Sequence, residues 1–389
     1  MNTSTSSINS EILLQNIQVL SDEFAKDRVK RQLRRNLHEE DFEKIRATGF
    51  LLLTVPKEMG GIYDGLKKTI RPICTALKIL AHGDSSVALV SSMQSAVLAN
   101  WLEHKSVPKE YESEWNLQRK EIFDGVLHHG HRWGTITSEP GSGGDIAKTK
   151  AIATKSADNK GYLLSGQKHF GSGSGITSFM VTTAIAEEDN LVDTFFLDMR
   201  NVPWDGTKGV QLIAEWDGHG MTATQSHGMM FDKFPVQRMA WKNDFSVATK
   251  PGGIMGAAVF TAVISGIIQI ALQTARASII KNIDQLRPYD KVEWTKIEND
   301  CWLVEQAYEG MLKDIENNND PQVGKAKLAV AELADSIMTR ICRVVGGGSF
   351  ARKSPLGFWA QDVKALGFLR PPWPLAYDQL WDQFIKNNS

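Results

Sequence analysis

Three observations predict a multidomain α and β fold laid out as helices, a β module and helices again. Apolar residues recur at helical spacing up to about residue 125. Short β-branched and aromatic runs bounded by Gly, Asp and Asn fill the middle, and the helical period returns from Gly252. With 389 residues the chain is long enough for two or three domains with a substantial core. The changes of period set the divisions at 1–128, 129–245 and 246–389.

In the first division, "SEILLQNIQVLSDEFAKD" carries an apolar stripe, and "HEEDFEKIRATGF" ends at a glycine suited to a C-cap. "LLLTVPKEMGG" breaks the pattern with Pro56 and Gly60-Gly61. Two apolar helices follow, the second capped by Asp84-Ser85, while the Ser/Thr-rich start reads as a frayed end. In the middle, "GYLLSGQKHFG", "SFMVTTAIA", "DTFFLDMRN", "VQLIAEW" and "HGMMFDKFPV" read as strands of a small antiparallel barrel or sandwich. In the last division, residues 252–275 hold no charge and are long enough to span a bilayer. Their Thr, Ser, Gln and small residues, with no second such span, favour a core helix. A final long helix opens on Asp320-Pro321 and closes on glycines.

A net charge of −1, with both signs mixed along the chain, argues against nucleic acid or an anionic membrane as a partner. Three distant cysteines without a CxxC read as reduced thiols, and the N-terminus lacks a basic region followed by an apolar core; both predict a cytoplasmic location. There is no GxGxxG after a strand, no P-loop, no HExxH and no GxSxG. "HHGH" at 128–131 reads as an interdomain loop, so no metal is expected. What remains is three glycine- and hydroxyl-rich stretches: "TITSEPGSGGD", "GQKHFGSGSG" and "VVGGGSF". Amides freed by glycine, with Ser and Thr hydroxyls nearby, supply directed donors for a flat polar ring or a diphosphate.

These stretches carry a resemblance. "TSEPGSGGD" resembles the T-E-P-G-x-G-S-D signature of the acyl-CoA dehydrogenase superfamily, and "GQKHFGSG" its G-x-K-x-W-I-T-N. "DGHGMTATQSHGMMFDKFPV" and "RVVGGGSFARKSPLGFWAQDVKAL" are similar to two later family motifs, and "LLLTVPKEMGG" to one in the N-terminal domain, all in family order. The resemblance implies an N-terminal α-helical domain, a middle antiparallel β-barrel and a C-terminal four-helix bundle. It also implies FAD as cofactor, with FMN as the alternative, and an acyl-CoA or similar small-molecule substrate. By position, Thr135, Ile136, Thr137 and Ser138 would meet the pyrimidine side of the flavin, and Phe170, Gly171 and Ser172 its N5 edge. Arg287, Arg343, Gly346 and Gly347 would meet the dinucleotide, the two glycines from a neighbouring subunit, which implies a homo-oligomer, a dimer or tetramer.

The departures are equally specific. In family register the catalytic glutamate position falls on Arg370, and the alternative glutamate position falls near Met255 and Gly256. Neither Arg nor Met can serve as the base that removes an acyl α-proton. Gln361 replaces the usual Arg, and Gly143-Gly144-Asp145 the usual Gly-Ser-Asp. Three readings follow. The first is an FAD-dependent dehydrogenase or oxidase with another base, His169 or His227, passing electrons to an electron-transferring flavoprotein. The second is a monooxygenase fed reduced flavin by a reductase, whose ending the "PPWPLAY" tail resembles. The third is a non-catalytic relative. In each, Arg370 is a candidate for a cation beside the flavin.

Overall fold

The computed structural model describes residues 9–158, 160–318 and 321–388; the Ser/Thr-rich start and the Asp320 cap fall outside them. The chain begins with α1 (Ser10–Lys26), α2 (Arg28–Gln32), α3 (Glu39–Ala47), α4 (Leu66–Gly83), α5 (Ser85–Glu103) and α6 (Glu112–His129). Gly49 takes the left-handed conformation after α3, at φ 89°, as the sequence requires. Asp84 caps α5 by accepting from the Val87 amide, and its other oxygen accepts from Arg31, whose guanidinium also holds Asp41 bidentately.

The middle holds β1 (Trp133–Thr135), β2 (Ile152–Lys155), β3 (Tyr162–Gly171), β4 (Phe179–Ala186), β5 (Leu191–Asp198), β6 (Val210–Ala214) and β7 (His227–Arg238). The strands β4, β2, β3, β7 and β5 pair in that order, and the β4–β5 pairing closes the ring. A barrel results, with Leu164, Met180, Phe195, Met229 and Phe231 inside. One expectation is corrected: the barrel is mixed, because β4 runs parallel to both β1 and β2. Both arrive at β4 from long connections, and parallel neighbours are what such connections permit.

The remainder is helical: α7 (Phe245–Lys281), α8 (Pro288–Glu316), α9 (Pro321–Val345), α10 (Pro355–Asp362), α11 (Ala365–Phe368) and α12 (Trp373–Asn388). Helix α7 is long and apolar enough to cross a membrane, yet 83% of its most apolar window is buried inside the molecule. It lies against α4 and α5 on one side and α8 and α9 on the other. One apolar core therefore runs through both helical regions, joining Leu77 and Val97 to Ile264, Ile267 and Ile337.

Candidate functional site

The site starts where β1 leaves the barrel. Alternation sends Ile136 inward, fully buried, while Thr135 and Thr137 face the other way. Ile136 also engages both backbone groups, its N–H donating to Val181 O (2.9 Å) and its C=O accepting from Thr182 Oγ1 (2.6 Å). The next residues form a latch. Glu139 accepts from Lys168 Nζ (2.5 Å), from the Lys150 amide (2.6 Å) and from Thr149 Oγ1. Lys168 is fully buried and also donates to Thr183 O (2.5 Å). Burial pushes the Lys168 ammonium down to about 8, against the pull of Glu139. Burial alone would raise the Glu139 carboxyl, but the hydrogen bonds from Lys168, Thr149 and Lys150 outweigh it and hold it below its usual range. The latch pulls the glycine loop tight against the barrel end. Gly144, at φ 83°, then lies so close to the C-terminal segment that a Cβ there would sit 2.4 Å from Pro372 Cγ.

Facing this wall, Phe170, next to last in β3, has a positive φ of 58°, beside an irregularity in the β3–β7 pairing, and remains 60% exposed. It meets Trp216 edge-on at 6.3 Å. Behind it three buried hydroxyls form a chain: Ser172 Oγ to Ser226 Oγ (2.8 Å), Ser226 Oγ to Thr224 Oγ1 (2.7 Å), and Thr224 Oγ1 donating to Met221 O (2.9 Å). Asp362 fixes the loop that carries them, accepting from the Met221 amide and from Ser85 Oγ, both at 2.6 Å. Burial raises this carboxyl to about 6, although both hydrogen bonds oppose the rise. From the helical side come Leu89, Met93, Phe260, Phe368 and Leu369. Together these groups enclose a cavity of about 590 Å³, of the size and character of a small-molecule site.

Arg370 closes the cavity from the C-terminal segment, donating through Nη2 to Ser138 Oγ (2.7 Å). Burial lowers its guanidinium to about 10, so it stays cationic at neutral pH. Lys327, only 1% exposed, donates to Leu369 O (2.9 Å) and Pro371 O (2.8 Å), the carbonyls on either side of Arg370.

A barrel between two helical regions is also the fold of known proteins. Residues 134–234 match the family described as acyl-CoA dehydrogenase, middle domain. FMN-bound TdsC from Paenibacillus sp. A11-2 superposes with a TM-score of 0.78 at 17% identity, over 96% of this chain and 97% of that one. Butyryl-CoA dehydrogenase from Megasphaera elsdenii gives 0.80 at 16% identity, over 99% and 100%. The middle of the chain is thus similar to an acyl-CoA dehydrogenase middle domain, and the whole chain takes the fold of butyryl-CoA dehydrogenase. A curated relative, L-evernosamine nitrososynthase from a Micromonospora species, is 24% identical over 355 residues, covering 85% of this chain and 80% of its own length.

The structure brings Thr135, Thr137, Ser138, Phe170, Ser172 and Arg370 to one cavity. The other candidate residues lie outside it. Ile136 points into the barrel with its backbone engaged. Gly171 backs the wall instead of lining it, since a Cβ would strike Ile136 Cδ1 at 2.8 Å. Arg287 pairs with Asp290 at the start of α8, outside the cavity. Arg343 lies in the last turn of α9 and Gly346 and Gly347 follow it in the open, where added Cβ atoms at the two glycines would meet nothing within 4 Å among the described residues, a position that leaves them free for a neighbouring subunit. The histidines are also outside: His169 lies against Gln167, and His227 Nδ1 accepts from the Trp216 amide. The sequence reading missed Glu139, Lys327 and Asp362. Only Glu139 left a signal, as the acidic member of "SEP" matched by the lysine of "GQKHFG".

Proposed function

We propose that this chain is a flavin-dependent monooxygenase that takes up a reduced flavin, FMN before FAD, and oxygenates a small molecule. One observation carries the reading. Among the described residues lining the cavity Glu139 is the sole carboxylate, and the Lys168 latch occupies it. A dehydrogenase needs a free base beside the acyl α-carbon; of the other titratable lining groups, Lys364 and Arg370 are cations and His219 is exposed at the rim. Oxygenation by a reduced flavin has no such requirement, and TdsC, which shares this fold, is FMN-bound.

The residues fit the ring of a flavin. Thr137 Oγ1 is buried without a partner among the described residues and lines the cavity, as a donor awaiting a ring carbonyl would. Phe170 offers an aromatic face, and Gly143 leaves open space for close approach. FMN is favoured over FAD because TdsC, which shares the fold, is FMN-bound. The hydroxyl chain supports a reduced ring. Each hydroxyl has one proton. Thr224 gives its proton to Met221 O, Ser226 gives to Thr224, and Ser172 gives to Ser226, so Ser172 turns its lone pairs toward the cavity. A lone pair there suits the N5–H of a reduced isoalloxazine and opposes the bare N5 of an oxidised one.

When bound, the reduced flavin would supply the two electrons by which dioxygen gives one atom to the substrate and one to water. This chain's own part is to exclude solvent with Leu89, Met93, Phe260 and Phe368, to fix the ring through Thr137 and Ser172, and to hold a cation, Arg370, beside it. The exposed turn at 343–350, with Phe350 93% exposed, would meet a second copy of the chain, as the resemblance implies.

The test is an anaerobic titration followed by oxygenation. The reading expects reduced FMN to bind more tightly than oxidised FMN, and substrate oxygenation to depend on a flavin reductase and oxygen. Protein that purifies with tightly held FAD bleached by an acyl-CoA would overturn it in favour of a dehydrogenase.

A further inference from the structure

The cavity has a charge imbalance. Two cations, Lys168 and Arg370, lie near enough to repel each other, and one carboxylate, Glu139, answers Lys168 alone. That leaves one positive charge over, on Arg370. Its hydrogen-bond partner among the described residues is the neutral Ser138 hydroxyl, a single acceptor for a group with five N–H donors. Lys364, at the rim, faces Asp335 at 3.7 Å. The cavity Arg370 closes has a large apolar share, Leu89, Met93, Phe260, Phe368 and Leu369, beside the hydroxyls of Thr135, Thr137 and Ser172.

The cation is also held in place. Lys327 sits buried under the segment with its ammonium on the two carbonyls that bracket Arg370, and Pro372 is seated against Gly144. A buried ammonium bound to carbonyls is a demanding arrangement, and burial lowers it to about 8. What it secures is the position of the one residue between those carbonyls.

We propose that Arg370 is the recognition point for an anionic group, a carboxylate, on an otherwise apolar and flat substrate, and that Lys327 is its positioning residue. The proposal rests on reading this cavity as the flavin and substrate site. A neutral aromatic would fill the space and leave the guanidinium unpaired in a poorly hydrated wall, whereas a carboxylate would accept two of its N–H groups at once. The competing source of negative charge is the reduced flavin itself.

The experiment uses the full chain, with benzoate as probe and benzamide as its neutral counterpart, followed by calorimetry without flavin and with FMN bound. Benzoate is expected to bind about tenfold or more tightly than benzamide, as a charge-assisted bond requires. Arg370→Met should abolish that preference, Arg370→Lys should restore part of it, and Lys327→Met should weaken benzoate while thermal melting shows each variant folded. Equal binding of the two probes, no binding of benzoate to the native chain, or undiminished benzoate binding by folded Arg370→Met would overturn the proposal. So would an Arg370→Met variant that loses affinity for reduced FMN alone. If neither redox state of FMN binds while benzoate is still preferred, the flavin reading fails and the anion site stands.

Discussion

Two glycine-rich loops of similar composition, 138–145 and 343–350, have opposite fates in this molecule. The first is drawn into the structure by Glu139, whose carboxylate reaches the buried Lys168, and its Gly144 touches the C-terminal segment. The second has no such anchor; its three successive glycines have free space around them and Phe350 stands in solvent. Glycine and serine confer freedom in both places. A buried charge pair, formed across 29 residues of sequence, converts that freedom into a wall of the cavity in one place only.

Breaking the anchor should erase the difference. Lys168→Met leaves Glu139 buried and unpaired and is expected to cost about 3–5 kcal/mol in urea denaturation, with loss of flavin binding. Adding Glu139→Gln to it should recover part of the stability, because the stranded charge is gone. A direct contrast of the loops comes next. Gly144→Ala meets both a positive φ and Pro372 and should cost about 2–4 kcal/mol, whereas Gly347→Ala should stay within about 0.5 kcal/mol.

A third measurement sharpens the comparison on the side of the cavity fixed by Asp362. Its carboxyl is raised in the fold, so the unfolded chain ionises first and the folded chain keeps its proton until about pH 6. The contribution is complete below about pH 4 and is lost as pH rises through 6, on the order of 3 kcal/mol. The stability difference between the native chain and Asp362→Asn, followed by chemical denaturation, should therefore change across that window and be flat above it. The smallest effect is expected at the hydroxyl chain. Ser226→Ala frees Ser172 to donate and should shift the ratio of reduced to oxidised FMN affinity severalfold toward the oxidised form, about 1 kcal/mol. An unchanged ratio would remove the polarity argument.

The same contrast explains what could be read from the sequence. The helix, barrel, helix order was legible because each element writes its own period, and the Asp84 cap because it is local. Thr135, Thr137, Ser138, Phe170, Ser172 and Arg370 were identified as neighbours through the resemblance, and they do meet. Ile136 and Gly171 lie in the same motifs, but strand alternation and close packing turn them away from the cavity, a distinction that a motif does not encode. The four residues of β2 gave too short a pattern to stand out, and the parallel pairing of β4 depends on partners distant in sequence. Lys327 reads as an ordinary helix-surface lysine until the segment at 369–371 folds over it. Its role exists only in three dimensions.

The position of α7 between the early and late helices has a consequence for biosynthesis. When α4 and α5 leave the ribosome, the apolar side that α7 will cover is bare, and it stays so until the whole barrel has been made and α7 has followed. The opening third of the chain is thus an unfinished half of a shared interior, and a nascent chain halted before α7 should be held by chaperones or degraded.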